Sequence, residues 1–207
     1  MLVQDIMTKQ VVAIGPDMPI GDVNALMEQR NIRHFPIVED AQLVGIVSDR
    51  DIRTVGSEHP QAPAGVTLKD AVGKIMIASV ITAHPLDPIE EAAKVLCSHK
   101  IGAMPVVRDG DLVGIVTGTD FLKALTTLTG VQDTTMRLEV ELDNRPGALA
   151  MLLDRIASRN VNVSSVFTTR QESDSVTMVL RVNTIDQRGL ADALRQDGIN
   201  VLWPRGK

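Results

Sequence analysis

Two copies of a seven-residue segment, Gly-Ile-Val-[Ser/Thr]-x-x-Asp, hold the side chains best placed for chemistry in this sequence. The copies end at Asp51 and Asp120, and each puts a hydroxyl, Ser48 or Thr117, three residues before its carboxylate. The hydroxyl can cap a following helix whose free N–H groups favour phosphate, and the carboxylate can accept both ribose hydroxyls. The glycine lets a flat ring approach the strand backbone. The spacing therefore predicts a nucleotide site. The alternative is that these side chains only cap helices and stabilise their dipoles.

A third segment with chemical potential is the loop 143–147, which joins a predicted strand to a predicted helix. Pro146 suits the first helical turn because it needs no N–H donor there, and Gly147 permits close approach. The helix N-terminus can then bind an α-carboxylate, and Asn162 could reach an α-amino group across a subunit boundary. The predicted amino-acid site consists of Asp143, Asn144, Arg145, Pro146, Gly147 and Asn162. The alternative is a tight turn in a domain that serves only to dimerise.

Composition argues against several other functions. Only 2% of the residues are aromatic and the net charge is −5, whereas nucleic-acid binding needs stacking surfaces and a basic face. The four histidines lack ligand spacing and Cys97 is the single cysteine, so we expect no metal site and no intrachain disulfide. There is no apolar run of about 18 residues, no signal-peptide pattern and no base–nucleophile constellation. We therefore expect a cytoplasmic protein without catalytic residues, cofactor, nucleic-acid partner or membrane partner.

The elements that position the first two segments come from an internal duplication. Shifted by 69 residues, positions 3–51 align with positions 72–120 without a gap and share 17 identities in 49 positions. Each copy predicts a strand, a helix, a hairpin of two strands and a second helix. In the first copy the strands are 11–14, 35–38 and 43–47, and the apolar face of the first helix consists of Ile20, Val23, Leu26 and Met27. The segment 56–65 is the predicted linker between the copies.

From residue 135 the pattern changes. Apolar residues at 136, 138, 140 and 142 alternate with charged ones, which predicts a half-buried strand. A helix with Leu149, Leu152, Leu153 and Ile156 on one face follows. After it come strands at 161–169 and 175–183 around a polar turn at 170–174, a helix from about 186 and a strand at 199–203. This βαββαβ order is the ferredoxin-like arrangement. The predicted fold class is α/β (α+β), with two repeats, 1–60 and 61–130, and a separate domain over 135–207.

These patterns resemble two known families. The repeat resembles the CBS motif, on segments 45–51 and 114–120 and on the Pro-Ile-Val and Pro-Val-Val strands at 36–38 and 105–107, and the pair looks like a Bateman module. Residues 135–207 resemble the ACT domain, on 143–149 and 160–164. The order CBS–CBS–ACT is similar to that of bacterial acetoin-utilisation accessory proteins.

The resemblance implies that an adenine nucleotide (AMP, ADP, ATP or S-adenosylmethionine) binds as a regulatory ligand across the pair of repeats. One implied site consists of Val12, Ile32, Arg33, His34, Thr117, Gly118, Thr119 and Asp120. The other consists of Ser48, Asp49, Arg50, Asp51, Ile81, Ile101 and Gly102. Because Arg33 and His34 face the Asp120 site and Gly102 and Ala103 face the Asp51 site, we expect anions to bind better at the Asp120 site.

The leading hypothesis is a non-enzymatic sensor that transmits nucleotide occupancy, and amino-acid occupancy at the ACT domain, to an unidentified partner protein. The alternative is a ligand-free structural adaptor used for dimerisation. A homodimer is expected in either case, because Ile46 and Val47 in one repeat and Val161, Val163 and Phe167 in the last domain are predicted to form apolar outer surfaces. The short connection at 126–135 predicts that the two domains are coupled.

Overall fold

The computed structural model describes residues 1–56, 62–131 and 134–206. They form two compact units, Met1–Leu122 and Lys123–Lys207, and the boundary between the units falls within one helix. Positions 57–61 of the predicted linker and positions 132–133 of the connection lie outside the described residues. Within the described ranges, no helix combines the length and the apolar character needed to cross a membrane.

The first unit contains the two copies that the duplication predicts, except that the last helix of the second copy continues into the second unit. The first copy consists of α1 (Val3–Ile6), α2 (Ile20–Arg30), β1 (His34–Glu39), β2 (Gln42–Ser48) and α3 (Asp49–Thr54). The second consists of a 3₁₀ turn (Val72–Lys74), α4 (Ile89–Ser98), β3 (Ala103–Arg108), β4 (Asp111–Thr117) and α5 (Gly118–Leu128). The four strands form one sheet in the order β1-β2-β4-β3. The predicted helices and hairpins are therefore confirmed.

The strand predicted at 11–14 is wrong, since only one residue of that run pairs with β1. The N–H of Ile14 donates to the carbonyl of Pro36 and its carbonyl accepts from the N–H of Val38. Extending this parallel ladder in either direction would require an N–H from Pro36 or from Pro16, and proline has none. Their counterparts Pro85 and Pro105 limit the second copy in the same way, where Ala83 alone bridges β3.

The two copies exchange their first segments. Thr8 of the first copy bridges Ile115 of β4, and its counterpart Ile77 bridges Ile46 of β2. Val3 is fully buried in the core of the second copy, and its counterpart Val72 is fully buried in the core of the first. Each core is thus completed by residues of the other copy, which makes the pair one folding unit.

The second unit has the predicted βαββαβ order. It consists of β5 (Met136–Asp143), α6 (Ala148–Ala157), β6 (Asn162–Gln171), β7 (Ser175–Asn183), α7 (Gln187–Gln196) and β8 (Asn200–Trp203). The antiparallel sheet has the order β6-β7-β5-β8, and one core joins the alternate apolar residues of β5 to the apolar faces of α6 and α7. The turn between β6 and β7 is shorter than the predicted 170–174, because β6 continues to Gln171.

The apolar surface differs from the one expected for dimerisation. Val47 is fully buried and Ile46 is half-buried, so this predicted outer surface is wrong. The exposed apolar side chains include three leucines spaced by three residues on α5, namely Leu122, Leu125 and Leu128. The predicted dimer contact therefore has to be sought on other residues than Ile46 and Val47.

Candidate functional site

Each repeated aspartate is fixed by its own Ser or Thr. Oδ2 of Asp51 accepts hydrogen bonds from the N–H of Ser48 at 2.8 Å and from its Oγ at 2.6 Å. Oδ2 of Asp120 accepts from the N–H of Thr117 at 2.9 Å and from its Oγ1 at 2.7 Å. The expected capping role is real at Ser48, whose Oγ accepts from the N–H of Asp51. However, no described residue donates to Oδ1 of either aspartate, so one oxygen of each fixed carboxylate remains to bind a ligand.

A cavity of about 140 Å³ lies beside Thr117, and we call it the Thr117 cavity. Its lining residues are Thr8, Gln10, Val11, Val12, Ile32, His34, Ile115 and Thr117. It therefore brings together Val12, Ile32, His34 and Thr117 of the implied Asp120 site. Gly118, Thr119 and Asp120 are not among the lining residues and begin α5 directly after Thr117, to which Asp120 is hydrogen-bonded.

A smaller cavity of about 60 Å³ lies beside Ser48, and we call it the Ser48 cavity. Its lining residues are His34, Ile46, Val47, Ser48, Arg50, Asp51, Ile77, Ile101, Gly102 and Ala103. Five of the seven residues of the implied Asp51 site are thus brought together. Asp49 and Ile81 are not among them.

Arg33 and Asp49 line a third cavity, of about 270 Å³, together with Asn24, Glu28 and Arg53. Asp49 forms an exposed ion pair with Arg53 at 3.0 Å. Neighbouring residues of an extended chain point to opposite sides, so Arg33 and its neighbour on β1 line different cavities. The structure therefore does not bring Arg33 to the Thr117 cavity. Of the Thr117 and Ser48 cavities, only the Ser48 cavity is lined by an arginine of the described part of the chain, namely Arg50. The expected preference of anions for the Asp120 site therefore lacks the support of Arg33, on which it partly depended.

The glycine of each repeated segment has a different role from the predicted one. A Cβ on Gly45 would lie 2.5 Å from the sulfur of Met76, and a Cβ on Gly114 would lie 2.5 Å from the sulfur of Met7. Each glycine therefore admits a methionine from the exchanged segment of the other copy. The prediction that a flat ring approaches the strand at this position is wrong, because a thioether occupies the space.

His34, which the resemblance places in the Asp120 site, has a second position that the sequence did not reveal. It lines both the Thr117 cavity and the Ser48 cavity. Burial lowers the pKa of His34 below its usual value, and the nearby Arg33 and Arg50 also lower it, whereas Asp49 and Asp51 raise it. The imidazole is therefore neutral at pH 7 when no ligand is bound. The unlike pairs at 33–34 and 102–103 in the alignment assigned His34 to the Asp120 site, and they did not reveal its place in the Ser48 cavity.

The predicted amino-acid loop has its polar groups largely engaged. The side-chain amide of Asn144 donates to the carbonyl of Glu172 at 2.9 Å and so fixes the β6–β7 turn. Arg145 forms an exposed ion pair with Asp143 at 3.2 Å. Helix α6 begins at Ala148, so the placement of Pro146 in the first helical turn is wrong. Gly147 caps that helix with a φ of 86°, a left-handed conformation that glycine adopts without strain.

A cavity in this unit shares one residue with the predicted amino-acid site. It measures about 290 Å³ and is lined by Glu141, Leu142, Asp143, Met151, Ser175, Gly198, Ile199 and Asn200. Oε2 of Glu141 accepts from the amide of Asn200 at 2.7 Å. Asn162 begins β6, with its side chain exposed, and does not line this cavity. Of the six predicted residues, this cavity therefore contains Asp143 alone.

The duplicated βα units with a capped Ser/Thr-x-x-Asp segment define a CBS pair, and the ferredoxin-like unit after them defines an ACT-type domain. Residues 3–58 and 72–127 match the CBS domain, and residues 134–205 match the TTHA0829-like ACT domain. This chain belongs to the CBS domain family and carries an ACT-type domain after its CBS pair.

Similar proteins divide into CBS-pair proteins and larger enzymes. The chain is 32% identical over 117 residues to the CBS domain-containing protein YhcV of Bacillus subtilis, a match that covers 55% of this chain and 78% of YhcV. It is 34% identical over 120 residues to inosine-5′-monophosphate dehydrogenase of Thermoplasma acidophilum, which covers 58% of this chain and 22% of the enzyme. The chain thus spans about a fifth of that dehydrogenase.

Solved structures with the same fold cover the CBS pair. The pair of protein MJ0100, in complex with 5′-methylthioadenosine and S-adenosyl-L-methionine, has 30% identity and a TM-score of 0.55, over 61% of this chain and 97% of that one. AcuB of Vibrio cholerae, named for acetoin utilization, has 31% identity and a TM-score of 0.55, over 66% and 98%. CBSX2 in complex with AMP has 26% identity and a TM-score of 0.54, over 61% and 97%.

Proposed function

We propose that this protein is a non-enzymatic regulatory sensor whose CBS pair binds AMP or a related adenine nucleoside ligand, including S-adenosylmethionine. The observation that carries the proposal is the carboxylate that each repeated Ser or Thr fixes. Asp51 lines the Ser48 cavity, and Asp120 is hydrogen-bonded to Thr117, which lines the Thr117 cavity. The described residues leave Oδ1 of both carboxylates free. A short carboxylate held in this way can accept both hydroxyls of a ribose. The relatives that are similar over the CBS pair support the choice of ligand, since MJ0100 binds 5′-methylthioadenosine and S-adenosyl-L-methionine and CBSX2 binds AMP.

The character of the two cavities suits a nucleoside. The Thr117 cavity offers apolar walls at Val12, Ile32 and Ile115 and a hydroxyl at Thr117. Both cavities are smaller than the roughly 300–1,000 Å³ typical of sites that enclose a small molecule. We therefore expect the base to be buried and the phosphates to lie towards solvent, with His34 and Arg50 as the nitrogen donors that can carry positive charge among the lining residues.

The remaining parts of the proposal concern transmission. We propose that nucleotide occupancy alters contacts with a regulated partner protein, that the protein acts in the cytoplasm as a homodimer, and that the ACT domain binds an amino acid near 143–147. Gly147 and the N-terminus of α6 support an anion site at that loop. The internal bonds of Asn144 and Arg145 leave fewer groups for such a ligand than the sequence indicates.

Thermal unfolding of the full chain tests the proposal. AMP, ADP, ATP and S-adenosylmethionine are added singly, followed by a panel of amino acids. A ligand at one hundred times its Kd stabilises the folded state by about 2.7 kcal/mol, which raises the melting temperature measurably. No shift with any nucleotide at millimolar concentration would leave the alternative, a ligand-free adaptor whose Asp51 and Asp120 serve only as caps.

A further inference from the structure

His34 is the one residue common to the linings of the Thr117 cavity and the Ser48 cavity, among the residues that the structure describes. It stands at the start of β1, paired with Ser48 of β2. Its ring nitrogen Nε2 is directed towards Gly102, which lines the Ser48 cavity. A single imidazole therefore forms part of two cavities that lie at equivalent places in the duplicated unit.

The equivalence of the cavities can be read from the 69-residue shift. Thr8, Ile32, Ile115 and Thr117 line one cavity, and their counterparts Ile77, Ile101, Ile46 and Ser48 line the other. The counterpart of His34 is Ala103, which also lines the Ser48 cavity. His34 thus lines the Thr117 cavity at the position that Ala103 has in the Ser48 cavity. It also lines the Ser48 cavity, in addition to Ala103.

Gly102 creates the space that this arrangement needs. A Cβ on residue 102 would lie 2.7 Å from Nε2 and 2.9 Å from Cε1 of His34, closer than carbon atoms approach in proteins. The counterpart of Gly102 is Arg33, a long side chain. The second copy therefore lacks a side chain at the position where the first copy inserts a ring.

We propose that His34 makes ligand binding at the two sites interdependent, because one imidazole serves both cavities. The proposal rests on the proposed function, that the CBS pair binds AMP, and adds that both cavities do so. A neutral imidazole carries one N–H and can donate to a phosphate in only one cavity, whereas a protonated imidazole donates from both nitrogens. A second AMP should therefore bind more weakly than the first while the ring is neutral, and this difference should shrink when the ring is protonated.

The charges around the ring set the pH at which this change occurs. Asp49 and Asp51 favour the protonated ring, whereas Arg33, Arg50 and burial disfavour it. The other residues lining both cavities carry no charge. A bound phosphate adds a negative charge beside the imidazole, so AMP binding should take up a proton and AMP affinity should rise as the pH falls from 7.5 to 6.0.

Calorimetric titration of the full chain with AMP at pH 7.5 and pH 6.0 tests the proposal. We expect two AMP molecules per chain, with the second binding about tenfold more weakly at pH 7.5, within the range usual for coupled sites. In His34→Ala the ratio of the two affinities should no longer depend on pH. The phosphate of AMP itself titrates near pH 6, but the variant shares this background, so the difference between the proteins isolates the ring.

Two further variants keep the result interpretable. Gly102→Ala keeps the imidazole but displaces it from the Ser48 cavity, so it should reduce the pH dependence if it folds as judged by circular dichroism. His99→Ala, an exposed histidine at the end of α4, should behave as the unaltered protein. Equal pH dependence in His34→Ala and the unaltered protein would overturn the proposal. One AMP per chain would overturn it while leaving the proposed function intact, and no AMP binding would overturn both.

Discussion

Replacing each repeated aspartate by alanine separates a ligand role from a structural role, because the chain contains a third Thr-x-x-Asp hydrogen-bonded pair, Thr67 and Asp70, which lies in a turn and lines neither cavity. The N–H and Oγ1 of Thr67 both donate to Oδ2 of Asp70 at 2.8 Å, as in the two repeated segments. The other oxygen of Asp70 accepts from the ammonium of Lys74. Bonds from Lys74 and Thr67 lower the pKa of Asp70 to about 2. Both carboxylate oxygens of Asp70 therefore accept bonds from the protein itself, and neither is free for a ligand. Asp70→Ala is for this reason a matched control.

The expected magnitudes differ between stability and affinity. Loss of the cap should lower the free energy of unfolding by about 0.5–2 kcal/mol in Asp51→Ala and in Asp120→Ala. Loss of a hydrogen bond from ribose to a charged acceptor should weaken AMP binding by about 1.5–3 kcal/mol, or roughly ten- to 150-fold. Because Arg50 lines the Ser48 cavity while Arg33 does not line the Thr117 cavity, the two variants should lose comparable affinity. Asp70→Ala should lose stability and keep the AMP affinity of the unaltered protein.

Calorimetry with AMP and thermal unfolding on the same preparations give both quantities. The reasoning fails if Asp51→Ala and Asp120→Ala lose stability while their affinity for AMP is unchanged, since the carboxylates are then caps alone. It also fails if Asp70→Ala weakens AMP binding as much as they do, because the loss would then reflect the fold of the pair in general.

Four other outcomes are expected. Light scattering at micromolar concentration should give twice the 22.4 kDa chain mass, and a single-chain mass would refute the predicted homodimer. Because folding lowers the pKa of His34, the unfolded chain binds a proton first as the pH falls below about 6.5, and the free energy of unfolding should decline there. In denaturant unfolding, the free energy of unfolding of His34→Ala should depend less on pH. Ala41→Gly should raise the free energy of unfolding by about 1 kcal/mol, since Ala41 has a φ of 66° and its counterpart is Gly110; a loss of stability on denaturant unfolding would contradict this. AMP should slow hydrogen exchange in β5 and at 144–149 as well as in the CBS pair; identical exchange in those two segments would show that the domains are independent.

The local elements could be predicted from the sequence because their signals are local. The hairpin β1–β2 follows from two apolar runs around Asp40–Ala41, and the cap of α3 follows from the spacing of Ser48 and Asp51. The strand at 11–14 failed for an equally local reason, because the prolines at 16 and 36 remove the N–H groups that a longer ladder needs.

The exchange of segments between the copies could not be predicted in the same way. Val3 and Met7 look like residues of the first copy, yet they complete the core of the second. Apolar periodicity reports that a side chain is buried and does not report which neighbour buries it. Gly114 was misinterpreted for this reason, since its partner Met7 lies more than one hundred positions away in the chain.

The difference between the two copies at 33–34 and 102–103 has a steric logic that permits only one shared imidazole. A ring at residue 34 fits because residue 102 has no side chain. A histidine at residue 103 would, by the symmetry of the repeat, be directed towards residue 33, where Arg33 has the Cβ that Gly102 lacks. Ala103→His should therefore fail to create a second shared ring and should lower stability through overpacking, by about 1–3 kcal/mol in denaturant unfolding. If that variant instead folds with unchanged stability, then the space around residue 33 is larger than the repeat symmetry implies, and the asymmetry of the two sites does not depend on Gly102.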